Sequence, residues 1–319
     1  MKQGVISFVI PCYRSEHTIA LVVDEIIRTV ATKPSFDYEI IAVNDCSPDG
    51  VFGVLKEIAS QNPKLKVVSL GKNMGKHAAV LAGYAIAQGE YIVDLDDDYQ
   101  SPVFELWRLM EPLFSGECDY STARYEEKKQ SRFKNFGSNI NLLMSVIMLD
   151  KPRNLRFENF SAMRYFVCKE IIKYRNPYPY LEGLVLRVTR RIKTVEMKQR
   201  ERADNNSTGF TFKKSLSLWF NGLTAFSVKP LRAASLIGFL FSMFGFALGV
   251  ITVVRRIFNP EIAAGYSSLL AAIVFTNGVV MLLLGLIGEY LGRIYICIND
   301  SPQYVIRDTI NIEPEEGNS

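Results

Sequence analysis

Two stretches of this chain carry no charged residue, Ala233 to Val254 and Ile262 to Gly288. Each exceeds the roughly 20 residues that a helix needs to cross a bilayer. Two membrane spans are therefore expected, at about 233–254 and 264–288, beside a soluble core; 48% hydrophobic and 22% charged residues over 319 positions fit that division. Lys213, Lys214, Lys229 and Arg232 precede the first span and Arg293 follows the second, which places both termini in the cytoplasm. Arg255 and Arg256, in the short connecting loop, reduce that contrast. The apolar run Val5 to Ile10 is too short for a secretory leader. A net charge of +4 is too small to argue for nucleic acid. Cys12, Cys46, Cys118, Cys168 and Cys297 have no metal or redox spacing, which fits free thiols in a reducing compartment, and two histidines exclude a histidine-rich zinc site.

Ahead of the spans, strand and helix patterns alternate. Val5 to Ile10, Tyr38 to Val43, Leu65 to Leu70 and Glu90 to Leu95 read as buried strands. Helical patterns lie between them, at about Glu16 to Ala31, Val51 to Gln61 and Lys76 to Gln88. Such alternation predicts an α/β fold with right-handed crossovers and a doubly wound, mostly parallel sheet. Ligands in that architecture sit beyond the carboxyl ends of the strands. Three polar clusters fall there: Pro11 to Glu16, Asn44 to Gly50 and Asp96 to Gln100.

The third cluster belongs to the stretch YIVDLDDDYQSP, Tyr91 to Pro102. In extended chain residues two apart share a face, so Asp96, Asp98 and Gln100 can converge while Asp97 faces away. Two carboxylates and an amide carbonyl form a hard-oxygen half-site suited to Mg²⁺ or Mn²⁺, completed by waters and substrate phosphates. A solvated acidic turn is the other reading of the same residues.

A nucleotide is the expected occupant of the crevice. A dinucleotide site needs glycines after the first strand, and this chain has Pro11-Cys12-Tyr13-Arg14-Ser15-Glu16 instead. That leaves a diphosphate held through metal, with Asp45 available to the base or ribose. Asp45 equally suits the turn Asn44-Asp45-Cys46-Ser47-Pro48-Asp49-Gly50 in which it sits.

The order IPCYRSEHTI, VNDCSPDG, NMGKHAAVLAGYAIAQG and LDDDYQSP resembles the family 2 glycosyltransferases of GT-A fold, and within them the polyprenyl-phosphate branch. That branch includes dolichyl-phosphate mannose synthase and the bactoprenol glucosyl- and aminoarabinosyltransferases. The resemblance reaches the end of the chain, through GLIGEYLGRIY and SPQYVIRD. It implies a metal and diphosphate role for Asp96, Asp98 and Gln100, and a nucleotide pocket lined by Pro11, Tyr13 and Asp45. Glu16 stands one place beyond the family's usual glutamate and is assigned to substrate on the same basis. It further implies acceptor-phosphate binding by Arg124, Lys134 and Ser138, and a substrate role for Arg202 in the loop leading to the membrane. Lys134 stands where the family usually has arginine.

The middle of the chain fits a lipid acceptor. Phe133, Phe136, Ile140, Leu143 and Ile147 recur at helical spacing, giving an amphipathic helix at about 132–148 that lies on the bilayer or packs on the sheet. Leu216, Trp219, Phe220, Leu223 and Phe226 form a second apolar face within 211–230, directly before the first span. The expected organisation is a cytoplasmic catalytic domain over 1–210, a juxtamembrane helix over 211–230, two spans within 231–292 and a cytoplasmic tail over 293–319. Gly245-x-x-x-Gly249 and Gly288-x-x-x-Gly292 permit close helix contact, within one chain or in a homo-oligomer such as a tetramer. Glu289 and Arg293, one turn apart, are expected to pair.

The expected activity is inverting transfer of a hexose, glucose from UDP-glucose first, to undecaprenyl or another polyprenyl phosphate at the inner membrane. A flippase and a glycan-modifying transferase would act downstream. GDP-mannose as donor, in the manner of dolichyl-phosphate mannose synthase, is the alternative within the class. A non-catalytic scaffold of a glycan-export complex is the alternative outside it.

Overall fold

The apolar run at the start forms the central strand of the sheet. In the computed structural model it extends to β1 (Lys2–Cys12), whose last seven residues are all buried. The structure describes residues 2–125, 155–177, 179–198, 200, 229–258, 265–299 and 302–312. The chain divides into two units, 1–210 with 301–319, and 211–300.

In the first unit β1 is followed by α1 (Ile19–Ala31), β2 (Asp37–Asn44), α2 (Val51–Gln61), β3 (Leu65–Leu70), α3 (Lys76–Ile86) and β4 (Gly89–Asp94). A short 3-10 turn (Val103–Glu105) leads into α4 (Leu106–Phe114) and β5 (Tyr120–Tyr125). After the gap come β6 (Ser161–Arg164), α5 (Tyr165–Ile171), α6 (Leu181–Val188) and β7 (Ile192–Met197). Past the second unit lies β8 (Ile306–Ile310). The eight strands run β7-β5-β6-β4-β1-β2-β3-β8. β4, β1, β2 and β3 are parallel neighbours, as the alternation predicts, and β5 pairs parallel with β7. β6 runs antiparallel between β4 and β5, and β8 antiparallel to β3. The antiparallel strands are absent from the sequence reading.

Period-two alternation sends Ile6, Phe8 and Ile10 into a core with α1, α2 and α4. The other face of β1 meets α3 at very close range. A Cβ on Gly83 would stand 2.4 Å from Val9 Cγ1 and 3.3 Å from Val43 Cγ2, so a bare backbone is required there. Gly83→Ala should lower stability by about 1–3 kcal/mol through overpacking, read as a drop in melting midpoint.

The segment read from sequence as the cytoplasmic tail supplies the last strand of the sheet. Val67 pairs with Ile310 and Ser69 with Asp308. Gln303 donates to the carbonyls of Tyr174 (2.8 Å) and Asn176 (2.7 Å). Asn311 donates to the carbonyls of Ala59 and Leu65, both at 2.9 Å, the former at the end of α2. Backbone groups that would otherwise lack partners are thus satisfied by residues more than 120 positions away.

The second unit contains two long helices, α7 (Lys229–Phe258) and α8 (Tyr266–Ile298). Among the described residues one stretch, Phe275–Ile298, is long and apolar enough to cross a membrane, and Ala234–Ala247 is a shorter apolar stretch. The sequence reading ends the second span near 288, whereas the helix continues through Arg293 to Ile298. The two helices meet at Phe241 and Phe275, whose rings are 5.3 Å apart, and at Gly238, where a Cβ would lie 3.5 Å from Leu283 Cδ1. Gly245, Gly288 and Gly292 face open space within the chain.

Candidate active site

The carboxyl ends of β1, β2, β3 and β4 bring four loops together, and the loops are tied by side chains accepting backbone N–H groups. Arg14 N–H donates to Ser47 Oγ (2.8 Å), and Glu16 N–H donates to Asp49 Oδ2 (3.1 Å). In return Glu16 Oε2 accepts Gly50 N–H at 2.6 Å. A Cβ on Gly50 would lie 2.8 Å from that oxygen. Glu16 therefore joins the loops after β1 and β2, a bracing role alongside the substrate role expected of it.

Asp45 is buried and holds the loop before α3. Its two carboxylate oxygens accept the N–H groups of Met74 (2.7 Å) and Gly75 (2.9 Å), and Asn73 Nδ2 donates to its carbonyl (3.2 Å). Burial raises its carboxyl above the ordinary range, and the two amides work against that rise. Both readings of Asp45 remain compatible with this position, since the carboxylate organises the turn region and lies at the crevice.

The β4 loop supplies the acidic cluster. Asp96 receives Lys76 Nζ, from the first residue of α3, and Asn159 Nδ2, from just before β6. Asp98 Oδ1 accepts the N–H of Gln100 at 3.1 Å. Asp97 is engaged elsewhere. Its Oδ2 accepts Tyr13 N–H at 2.8 Å, and its carbonyl accepts the Thr18 hydroxyl at 2.6 Å. Burial pushes the Asp97 carboxyl up to about 6. Regular extended chain ends at Asp94, and Tyr99 turns the loop with φ +62°, a region tyrosine rarely adopts.

Among the described residues no three of His, Cys, Asp and Glu gather as a metal cage. The chain offers instead the oxygens of Asp96, Asp98 and Gln100 on one loop, a donor set whose chemistry suits Mg²⁺ or Mn²⁺ with remaining positions left to water and phosphate. Pro11, buried in β1, pairs with Val43, and Tyr13 is exposed beside Arg14, whose guanidinium carbon lies 5.6 Å from the ring centre. Arg124 is exposed near the end of β5, where it pairs in register with Glu196 of β7. Lys134, Ser138, Arg202 and the helices expected at 132–148 and 211–230 lie outside the described residues.

Three residues of this site receive no role in the sequence reading: Lys76, Asn159, which lies in the segment Glu158 to Arg164 given no assignment there, and Arg200. Lys76 could have been found, because Gly71 to Gly75 is a fourth polar cluster at a strand end and Lys76 follows it. Arg200 follows β7 and grips Glu25 of α1 through both of its terminal nitrogens, each at 2.8 Å. Next to Lys76, burial and the lysine charge lower His77 to about 4, keeping it neutral.

Residues 7–172 match Glycosyl transferase family 2, and residues 229–294 match the GtrB C-terminal hairpin. The uncharacterized glycosyltransferase YkcC of Bacillus subtilis is 32% identical over 312 residues, covering 96% of this chain and 94% of its own length. The undecaprenyl-phosphate 4-deoxy-4-formamido-L-arabinose transferase of Yersinia enterocolitica is 30% identical over 329 residues, covering 98% of this chain and 96% of that protein. Among solved structures, glucosyl-3-phosphoglycerate synthase from Mycobacterium tuberculosis with Mn²⁺, UDP-glucose and phosphoglyceric acid shares the fold, with TM-score 0.51 and 19% identity over 68% of this chain and 76% of that one. A GT-A sheet with its acidic loop at the carboxyl end of β4, matched over more than half the chain and continued by that hairpin, makes this protein a member of the family 2 glycosyltransferases.

Proposed function

We propose that the chain transfers a hexose, glucose from UDP-glucose in the first instance, to undecaprenyl or another polyprenyl phosphate. The observation that carries this reading is the likeness, over catalytic domain and hairpin together, to transferases named for undecaprenyl phosphate. The site geometry supports it. Lys76 presents a cation beside Asp96 at the strand ends, where a nucleoside diphosphate would be bound. Bound Mg²⁺ or Mn²⁺, held by Asp96, Asp98 and Gln100, would neutralise charge on the diphosphate leaving group.

A polyprenyl phosphate arrives ionised, so no side chain has to remove a proton. Its oxygen attacks the anomeric carbon as the bond to the diphosphate oxygen breaks, which inverts that centre. The protein's work is positioning and charge. Arg124, Lys134 and Ser138 are assigned to the acceptor phosphate, and Pro11, Tyr13, Glu16, Asp45 and Arg202 to the donor.

The pairing of β8 with β3 supports an even number of membrane crossings. An odd number of crossings would leave β8 across the bilayer from β3, to which it is hydrogen-bonded. That favours a pair of crossings by α7 and α8, with 1–210 and 301–319 on one side, and the lysines and arginines beside the helices favour the cytoplasm for that side. The unfilled space beside Gly245, Gly288 and Gly292 supports a homo-oligomer formed through the helices. A flippase and a glycan-modifying transferase would use the product.

The test is transfer of radiolabelled sugar from UDP- and GDP-sugars into organic-extractable undecaprenyl phosphate, with Mn²⁺ or Mg²⁺ and with chelator. Label should enter the lipid phase from a UDP-sugar only with metal. Transfer from GDP-mannose alone would favour the mannosyl alternative. A folded chain that binds nucleotide and transfers nothing would favour a scaffold.

A further inference from the structure

Arg200 makes more contacts than a surface arginine needs, and they converge on one turn. Its Nη1 and Nη2 each donate to a different carboxylate oxygen of Glu25, both at 2.8 Å. Its guanidinium carbon sits 4.1 Å from the ring centre of Tyr99 and 5.5 Å from that of Phe104. Its backbone N–H donates to the carbonyl of Gln100 at 3.3 Å. Glu25 belongs to α1, Tyr99 and Gln100 to the acidic loop, and Phe104 to the 3-10 turn that follows it. One side chain thus fastens the acidic loop to a helix of the core.

The loop needs such a fastening because Tyr99, with φ +62°, stands between Asp98 and Gln100. An L-residue stays in that region only where its surroundings hold it there. Releasing Tyr99 toward ordinary φ would rotate the peptides on either side and separate Asp98 from Gln100. The two-pronged ion pair fixes the guanidinium plane, and the guanidinium carbon lies over the Tyr99 ring, 4.1 Å from its centre. Glu25 is largely buried and its partner partly so, which limits screening of the pair.

We propose that Arg200 is a positioning residue for transfer. Clamped by Glu25, it holds Tyr99 in its left-handed conformation so that Asp98 and Gln100 face the donor diphosphate together. This rests on the donor-site reading above, and the experiment separates the two. Full-length protein in detergent micelles is titrated with UDP and with GDP, with and without Mn²⁺, by calorimetry, and its melting midpoint is recorded without metal. In Arg200→Ala, Mn²⁺-dependent diphosphate binding should weaken about tenfold, or about 1.4 kcal/mol. Arg200→Lys keeps the charge without the fork or the plane and should recover only part of that loss.

Tyr99→Gly supplies the decisive background, since glycine takes positive φ without strain. There the additional loss from Arg200→Ala should shrink to about twofold, giving a clear coupling in the double-mutant cycle. A purely structural arginine would lower the melting midpoint and leave affinity alone, or lose equally in both backgrounds; either result overturns the proposal. Wild-type protein that binds neither nucleotide with Mn²⁺ would overturn the donor-site reading itself.

Discussion

Asp98→Asn should abolish sugar transfer to polyprenyl phosphate, reducing the rate about a thousandfold while the protein stays folded. The asparagine carbonyl can still accept the Gln100 N–H that Asp98 Oδ1 accepts at 3.1 Å, so the turn survives. What disappears is one negative charge from the oxygen set proposed to hold the metal and diphosphate. Asp96 would give a less clean result, because its carboxylate also answers Lys76 and Asn159 and a neutral side chain would leave the lysine unpaired. The measurement is initial rate of label transfer beside a thermal melt. An unchanged rate with an unchanged melt would remove Asp98 from the charge-bearing set.

The second large effect concerns Asp94, just inside the strand end. Its Oδ1 is shut from solvent without a hydrogen-bond partner, while Oδ2 receives the Tyr84 hydroxyl and, at 3.5 Å, that of Ser161. Burial is the main cause that pushes its carboxyl from the ordinary 3.8 up to about 7, against the pull of Tyr84 and Lys76. The folded state then binds a proton that the unfolded chain has released, so stability falls as pH rises from about 4 to about 7 and is level above that. The interval corresponds to about 4 kcal/mol at most. Asp94→Asn removes the ionisation, so its stability advantage over the wild type should grow by about 2–3 kcal/mol between pH 5 and pH 8. Taking the difference between the two proteins cancels Asp97, whose raised carboxyl acts in the same direction, and His77, whose lowered imidazole acts in the opposite one. Thermal melts across that pH range decide it, and a constant difference would mean that Asp94 is ionised throughout in the folded protein.

The parallel half of the sheet was legible because each strand there is a continuous apolar run between two helical patterns. β6 has only four residues, and β8, IRDTI, is a half-polar edge strand whose pairing with β3 depends on residues more than two hundred positions away. No local pattern encodes that return. In the candidate site, strand-end logic drew attention to the clusters Pro11 to Glu16, Asn44 to Gly50 and Asp96 to Gln100, and the resemblance assigned Pro11, Tyr13, Glu16 and Asp45 their expected roles. Lys76 was open to the same logic at β3 and was passed over. Asn159 and Arg200 had no such signal, because they reach the acidic loop only after β6 and β7 have joined the sheet beside β4 and β5. The expected alignment of Asp96, Asp98 and Gln100 assumed extended chain, whereas β4 ends at Asp94 and the positive φ at Tyr99 makes the segment a turn.

The position of β8 also sets an order of manufacture. A ribosome adding on the order of 5–20 residues each second delivers β1 to β4 first, then both long helices, and β8 last. Throughout that interval β3 stands as a bare, apolar edge, the kind of surface that recruits stray strands. The nascent chain is therefore most vulnerable while its two long helices are being made, and a delay at that step should be felt first in the sheet.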